Sequence, residues 1–198
     1  EPLLHKATPQ AIQVAKAHGV DVGMFSNGIL INDGNIPQLM SNLTFIRLTI
    51  NGCSASSYSK VHQGPPGDWK KINANLKKLV AYKKKFHSRC TIGVYTILLN
   101  ENVGELAGWV RKLKRMGVDY IIIKPPEKGL DKISFVDLVK VKKFEPVLKR
   151  IARMGTPHFL VQVRWDLFRH GCQKEYARCL GLPFMSAVDP DGSVYACN

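Results

Sequence analysis

Apolar positions in this chain follow two patterns that alternate along the sequence. Short runs rich in β-branched residues are typical of buried parallel strands. They span 20–25, 45–50, 91–98, 120–124 and 159–163. Between them, apolar residues recur at helical spacing, most clearly from Trp69 to Val80. This alternation predicts an α/β fold with a parallel sheet, which either a doubly wound sheet or a barrel would satisfy.

The predicted helices have recognisable ends. Thr8 is placed to cap a helix that Pro9 opens and Gly19 closes, because proline suits the first helical turn and glycine the position after the last. A later helical stripe contains Pro146, which we expect to break or restart that helix, since proline removes a backbone donor.

Loops that directly follow the predicted strands are the first places to look for a site. In both candidate folds, ligands bind at the carboxyl ends of the strands. Each of these loops is polar or contains turn-forming residues: 26–28, 51–53, 99–102 and 124–126. Function is therefore expected at this edge of the sheet.

The end of the chain has a different character. A turn at 189–192 separates two short apolar runs, 184–188 and 193–196, which predicts a β-hairpin. Twelve residues separate Cys179 from Gly192, and four separate Gly192 from Cys197. Two converging thiolates form half of a soft-metal site, either an iron–sulfur cluster or zinc. Cys172 is a further candidate ligand. We predict two domains, 1–165 and 166–198.

Composition narrows the class of protein. Five cysteines, an odd number, favour a reducing cytosol over a disulfide scaffold. No apolar run reaches the length of a membrane span. The formal net charge is +14, and its lysines and arginines cluster on predicted helix faces opposite the apolar stripes. Aromatic residues are not interleaved with them, so a solvated surface is favoured over a nucleic-acid groove.

Taken in order, the loop motifs resemble the radical S-adenosylmethionine (radical SAM) superfamily, in the branch with a C-terminal SPASM or twitch extension. The resemblance runs across nearly the whole chain. Residues 1–4 (EPLL) resemble the end of the family's Gly-Gly-Glu-Pro motif, and 25–28 (FSNG) its Thr-Asn-Gly loop. Residues 46–52 (IRLTING) resemble its fourth-strand motif, with Thr49 in place of Ser and Asn51 in place of Asp. The spacing from Cys179 to Cys197 fits its first auxiliary-cluster motif, Cys-x9–15-Gly-x4-Cys.

The resemblance implies a partial (β/α)6-type radical SAM barrel, followed by the start of a cysteine-rich auxiliary domain with a β-hairpin. It implies S-adenosylmethionine and a catalytic [4Fe–4S] cluster as cofactors, with an auxiliary iron–sulfur cluster on Cys179, Cys197 and Cys172. The residues matched to cofactor binding are Glu1, Pro2, Ser26, Asn27, Thr49, Asn51, Asn100 and Lys124. The acid, base or hydrogen-accepting residue is not identified.

One departure from the family stands out. The Cys-x3-Cys-x2-Cys loop that holds the catalytic cluster is absent, so we expect a piece of a larger cytoplasmic enzyme that is inactive by itself. The resemblance implies that the parent cleaves S-adenosylmethionine reductively to a 5′-deoxyadenosyl radical, which abstracts a substrate hydrogen. Implied partners are an electron donor such as flavodoxin or ferredoxin and a peptide or small-molecule substrate. The positive charge of the chain suits an acidic substrate.

Two alternatives stay open at this stage. A non-catalytic basic α/β module that binds nucleic acid, with a structural zinc tail, would explain the charge and the cysteines. An aldolase-like barrel would use Lys124 as a Schiff-base lysine, which requires that its amine be neutral and desolvated.

Overall fold

The computed structural model describes residues 1–65, 67–126, 138–170, 181, 184–189 and 191–195. Five parallel strands form one sheet, and a separate antiparallel pair follows near the end of the chain. The sheet strands are Gly23–Ser26 (β1), Phe45–Thr49 (β2), Thr91–Ile97 (β3), Tyr120–Lys124 (β4) and Leu160–Val163 (β5). The pair is Ala187–Val188 (β6) and Val194–Tyr195 (β7).

Helices occupy the connections between the strands. A short 3-10 helix, Pro2–Leu4, comes first. The α-helices are Thr8–Ala17 (α1), Ile36–Asn42 (α2), Ala55–His62 (α3), Asp68–Phe86 (α4), Leu106–Met116 (α5), Leu138–Ala152 (α6) and Trp165–His170 (α7). Within the described ranges, no helix is both long and apolar enough to cross a membrane.

Strand order decides between the two predicted architectures. The strands lie in the order β1-β2-β3-β4-β5, and each neighbouring pair is parallel. A doubly wound sheet reverses its strand order at a switch point. No reversal occurs among the described strands, so the sheet has the consecutive winding of a partial barrel. The predicted α/β fold with a parallel sheet is confirmed.

The two faces of the sheet have opposite environments. Alternate strand residues, such as Ile46, Leu48 and Ile121, are fully buried in one hydrophobic cluster with residues from the helices. We call this side the helix-covered face. The residues between them on the same strands are partly buried or exposed, except the buried Gly93, and we call that side the open face. It carries Phe25, Phe45, Arg47, Thr49, Tyr95, Ile97, Tyr120, Ile122, Lys124, Leu160 and Gln162.

Some predicted element ends were wrong. Thr8 lies inside α1, whose N-cap is Ala7, and the Thr8 hydroxyl donates to the Pro2 carbonyl at 2.7 Å. The first strand begins at Gly23 rather than at residue 20, because the Val20 N–H closes the end of α1 on the Ala15 carbonyl. Helix α6 continues through Pro146 instead of breaking there.

The predicted C-terminal hairpin is present. The Asp189 N–H donates to the Ser193 carbonyl at 2.9 Å, and Gly192 adopts a left-handed φ of 87° that favours glycine. Its strands are two residues each, shorter than predicted. Cys172, Cys179 and Cys197 lie outside the described residues. Within those residues, no group of three or more histidine, cysteine or acidic side chains could hold a metal ion.

Candidate cofactor site at the carboxyl ends of the strands

Glu1, Ser26 and Asn27 come together at the end of β1. The Ser26 hydroxyl lies 2.9 and 3.1 Å from the two Glu1 carboxylate oxygens, and the Asn27 backbone N–H donates to the same carboxylate at 2.6 Å. The Leu3 N–H donates to it at 3.3 Å, at the start of the helix that contains Pro2. The sequence placed Glu1, Pro2, Ser26 and Asn27 in one site, and the fold brings all four together.

Hydrogen bonds within the loop after β1, and one from α4, fix the backbone of that loop. Gly28 has a φ of 81°, and its N–H donates to the Ser26 hydroxyl at 2.9 Å. Asn75, a buried residue of α4, donates to the Gly28 carbonyl at 2.8 Å. The Asn27 side chain accepts from the Ile29 N–H at 2.9 Å, which forms an Asx turn. These bonds fix the backbone that presents the Glu1 carboxylate.

Asn51 braces two strand ends, a structural role that the sequence did not predict. Its side-chain oxygen accepts from the Ile97 N–H at 3.0 Å, and its carbonyl accepts from the Asn102 side chain at 2.6 Å. Its own N–H donates to His62 Nε2 at 3.1 Å. Burial lowers the pKa of His62 below its ordinary value of 6.5, which favours the neutral ring that this acceptor role requires.

Thr49, Asn100 and Lys124 occupy three different settings. Thr49 lies on the open face, and its hydroxyl has no hydrogen-bond partner among the described residues. Asn100 is exposed in the turn after β3. Lys124 Nζ lies 5.1 Å from the centroid of the Tyr95 ring. A cation–π contact stabilises the charged ammonium, so this setting disfavours the neutral amine that an aldolase-like Schiff base needs.

The sequence missed two polar groups near this edge. Asn102 is fully buried, donates also to the Ile97 carbonyl at 2.7 Å and accepts from the Leu99 N–H at 3.0 Å. Glu105 accepts from the Ser54 and Ser57 hydroxyls at 2.9 and 2.7 Å, which joins α5 to the capping box of α3. Both Asn102 and Glu105 precede the amphipathic helix α5, and this position in the sequence could have identified them.

The sequence also missed a cluster on the open face around Arg47. The Arg47 guanidinium carbon lies 4.1 Å from the Phe25 ring centroid and 5.1 Å from that of Tyr95. Burial raises the pKa of Tyr120, and the nearby Arg47 charge works against that shift. A charged residue in the middle of an apolar strand was the available signal.

Cys53 and Cys90 are buried free thiols. Burial raises the pKa of Cys53 to about 12, with a smaller contribution from the Glu105 charge. Burial likewise raises the pKa of Cys90 to about 11. Since the thiolate is the reactive form, neither is placed to act as a nucleophile or a metal ligand.

The residues at the ends of β1 and β2 suit a zwitterionic nucleoside ligand. A carboxylate has about four lone-pair positions, so Glu1 can accept from an ammonium group while it holds Ser26 and Asn27. The Thr49 hydroxyl offers a donor and an acceptor on the neighbouring strand. This donor set fits S-adenosylmethionine, and Asn51 positions the same edge through its bonds to Ile97 and Asn102.

The basic residues of the long helix lie on its outer surface. Lys70, Lys71, Lys77 and Lys78 of α4 are exposed, whereas the apolar residues between them are buried. Lys78 pairs with Asp33 at 2.7 Å, and the partly buried Lys83 pairs with Asp119 at 2.6 Å. This arrangement matches a solvated helix surface.

No protein-family model matches this chain, and no curated protein does. Its fold is similar to that of SuiB from Streptococcus suis, with a TM-score of 0.71 at 11% identity over all of this chain. A structure of SuiB bound to S-adenosylmethionine has a TM-score of 0.71 at 9% identity, and the match covers 47% of that chain. A structure of SuiB bound to precursor peptide SuiA has a TM-score of 0.68 at 12% identity, and the match again covers 47% of that chain. Matches to these two structures also cover all of this chain.

A second similar structure is a domain of pyruvate-formate lyase-activating enzyme from Bacteroides vulgatus. It has a TM-score of 0.57 at 13% identity, over 82% of this chain and 93% of that one. This chain spans about half the length of SuiB, 48% of it. At these identities the likeness shows a shared fold.

Proposed function

We propose that this chain is the S-adenosylmethionine-binding part of a radical SAM enzyme that modifies a peptide. The observation that carries the proposal is the Glu1 carboxylate, held by Ser26 and Asn27 at the carboxyl end of β1. The family resemblance assigns that position to the ammonium group of the cofactor. Similar folds of SuiB hold S-adenosylmethionine and a precursor peptide, which supports both the cofactor and the substrate class.

The protein's own part in this function is to bind and orient. When bound with its [4Fe–4S] cluster, S-adenosylmethionine would supply the 5′-deoxyadenosyl radical that abstracts a substrate hydrogen. Glu1 would hold the ammonium group, and Thr49 would hydrogen-bond the nucleoside. Asn51 and Asn102 would keep these strand ends in register. Asn100 and Lys124 remain proposed contacts, and Cys172, Cys179 and Cys197 remain the proposed auxiliary-cluster ligands.

A binding measurement on the chain tests the proposal. Calorimetric titration with S-adenosylmethionine should show saturable binding, and Glu1→Ala should weaken it about tenfold or more, because a charge-assisted hydrogen bond is lost. Glu101→Ala removes a carboxylate from the exposed loop after β3 and serves as the matched control. Equal affinity of both variants and the parent chain would refute the assignment of Glu1.

The same preparation discriminates the nucleic-acid alternative. A basic binding module would bind single-stranded RNA or DNA with an affinity that falls steeply with salt, and it would not bind S-adenosylmethionine. The cofactor-binding chain is expected to give the opposite pair of results.

A further inference from the structure

The open face contains a row of residues built around one cation. Along this row the strands place Phe25, Arg47, Gly93 and Tyr120 in register, one on each of β1 to β4. Arg47 lies on the open face because its neighbours Ile46 and Leu48 are both buried on the other side. Its guanidinium is therefore on the side of the sheet that the helices leave uncovered.

Gly93 makes the row possible. A Cβ built on Gly93 would lie 2.0 Å from Cζ and 2.5 Å from the hydroxyl oxygen of Tyr120. The Tyr120 ring thus lies flat across the glycine, toward Arg47 on the far side of β3. This register places the Tyr120 hydroxyl near Arg47, and the Arg47 charge works against the burial that raises the pKa of Tyr120. Any larger residue at position 93 would block this path.

The guanidinium is held in place but not neutralised. Phe25 and Tyr95 contact it through their ring faces, and these contacts use none of the five N–H donors that arginine carries. No carboxylate of a described residue lies within ion-pair distance of Arg47. The five sheet strands contain no aspartate or glutamate at all.

Two further cations lie near Tyr95, and one of them is paired with an aspartate. Lys124 contacts the same Tyr95 ring as Arg47, with its Nζ 5.1 Å from the ring centroid. Arg164 follows β5 and is near enough to Tyr95 to interact electrostatically, and Asp166 neutralises it at 2.7 Å. Arg47 and Lys124 thus both contact the Tyr95 ring, and two cations on one face favour the approach of an anion.

We propose that Arg47 is a preorganised receptor for a carboxylate of the substrate, so that the peptide which reaches the open face carries an aspartate or glutamate beside the position to be modified. The substrate class rests on the proposed function, whereas the anion site rests on the residues above. Phe25, Gly93 and Tyr120 position the guanidinium. Planar guanidinium matches the two oxygens of a carboxylate better than an ammonium would.

The test titrates the chain with a capped tripeptide, acetyl-Gly-Glu-Gly-amide, at low salt and follows the Arg47 Nε–H and the tyrosine ring signals by NMR. The glutamine tripeptide, a neutral isostere, should bind about tenfold more weakly or not at all. Arg47→Gln should abolish the preference for glutamate. Arg111→Gln, which removes an exposed charge from α5, should leave it unchanged.

Tyr120→Phe provides a second variant that keeps the Arg47 charge and removes only the hydroxyl. It should reduce glutamate affinity a few-fold, and it keeps the test informative if Arg47→Gln does not fold. Equal affinity for the two tripeptides in the parent chain would overturn the proposal. So would Arg47-dependent binding of inorganic phosphate without binding of the glutamate peptide.

Titration with S-adenosylmethionine separates this proposal from the proposed function. Cofactor binding that survives Arg47→Gln, with loss of the glutamate preference, supports both. Cofactor binding that is lost in Arg47→Gln would assign the guanidinium to the cofactor's own carboxylate and overturn the substrate site. A glutamate preference without any cofactor binding would leave the anion site standing and refute the proposed function.

Discussion

The two faces of the same five strands differ in burial and in the residue types that they carry. The helix-covered face is almost entirely aliphatic, and its two polar residues are satisfied internally: Thr96 donates to the Ile50 carbonyl at 2.8 Å, and Ser26 bonds Glu1. The open face alternates with it residue by residue and carries aromatic rings and two cations, Arg47 and Lys124. Because a strand's side chains point alternately to opposite sides, one sequence can separate stability from binding at single-residue resolution.

Adjacent isoleucines on β4 give the sharpest test of this comparison. Ile121 is fully buried on the helix-covered face, whereas its neighbour Ile122 is partly exposed on the open face. Ile121→Ala should lower the free energy of unfolding by about 2–5 kcal/mol, because it leaves a cavity in a packed core. Ile122→Ala should cost less than half as much. Urea unfolding of both variants measures the difference, and equal losses would show that the two faces are packed alike.

Two asparagines after β3 extend the comparison to the edge of the sheet. Asn102→Ala removes three hydrogen bonds and leaves the buried Leu99 N–H unpaired, so it should cost about 3 kcal/mol of stability. Asn100→Ala changes an exposed side chain and should alter stability by no more than about 0.5 kcal/mol.

The same pair separates structure from ligand binding. If Asn100 contacts the cofactor, Asn100→Ala weakens binding of S-adenosylmethionine in calorimetry without a change in urea midpoint. A large stability loss in Asn100→Ala would contradict its placement at the surface, and unchanged cofactor affinity would remove it from the proposed site.

The sequence predicted the strands that form the helix-covered face, but it did not predict most of the contacts on the open face. Runs such as 120–124 identify strands because solvent exclusion selects β-branched residues there, and strand β4 has the bounds that were predicted. Consecutive strand order, which separates a partial barrel from a doubly wound sheet, depends on long-range pairing that no local pattern encodes.

Contacts across strands explain what the sequence missed. Arg47, Gly93 and Tyr120 are more than 25 residues apart in sequence from one to the next, and only register makes them neighbours. Asn51 was predicted as a ligand contact, and the sequence did not reveal that its side-chain oxygen also accepts from the Ile97 N–H. In contrast, the proximity of Ser26 and Asn27 was easier to expect, because their turn-forming motif follows its strand directly.

Gly93→Ala tests whether an added methyl group on the open face disturbs the Arg47 cluster while the fold remains stable. The new Cβ would displace the Tyr120 ring, whose far end can move, so the stability loss should be only about 1 kcal/mol. The position of the Tyr120 ring over residue 93 should nevertheless change, which the tyrosine ring signals report by NMR. Gly108→Ala, in α5 with open space around its Cβ position, is the matched control. Unchanged Tyr120 signals in Gly93→Ala would refute the row as described.

Titration of His62 should have the smallest effect on stability among these tests, and it probes the end of β2. The folded pKa of His62 lies below its ordinary value of 6.5 because of burial, so the unfolded chain binds more protons between these two pKa values. Stability is therefore complete above about pH 6.5 and falls as the pH is lowered toward the folded pKa. In His62→Gln this part of the pH dependence should disappear, which urea unfolding at several values from about pH 5 to 8 measures as a difference from the parent chain. Parallel curves for the two proteins would mean that His62 titrates alike in both states, and that its bond to the Asn51 N–H does not hold the end of β2 in the folded chain.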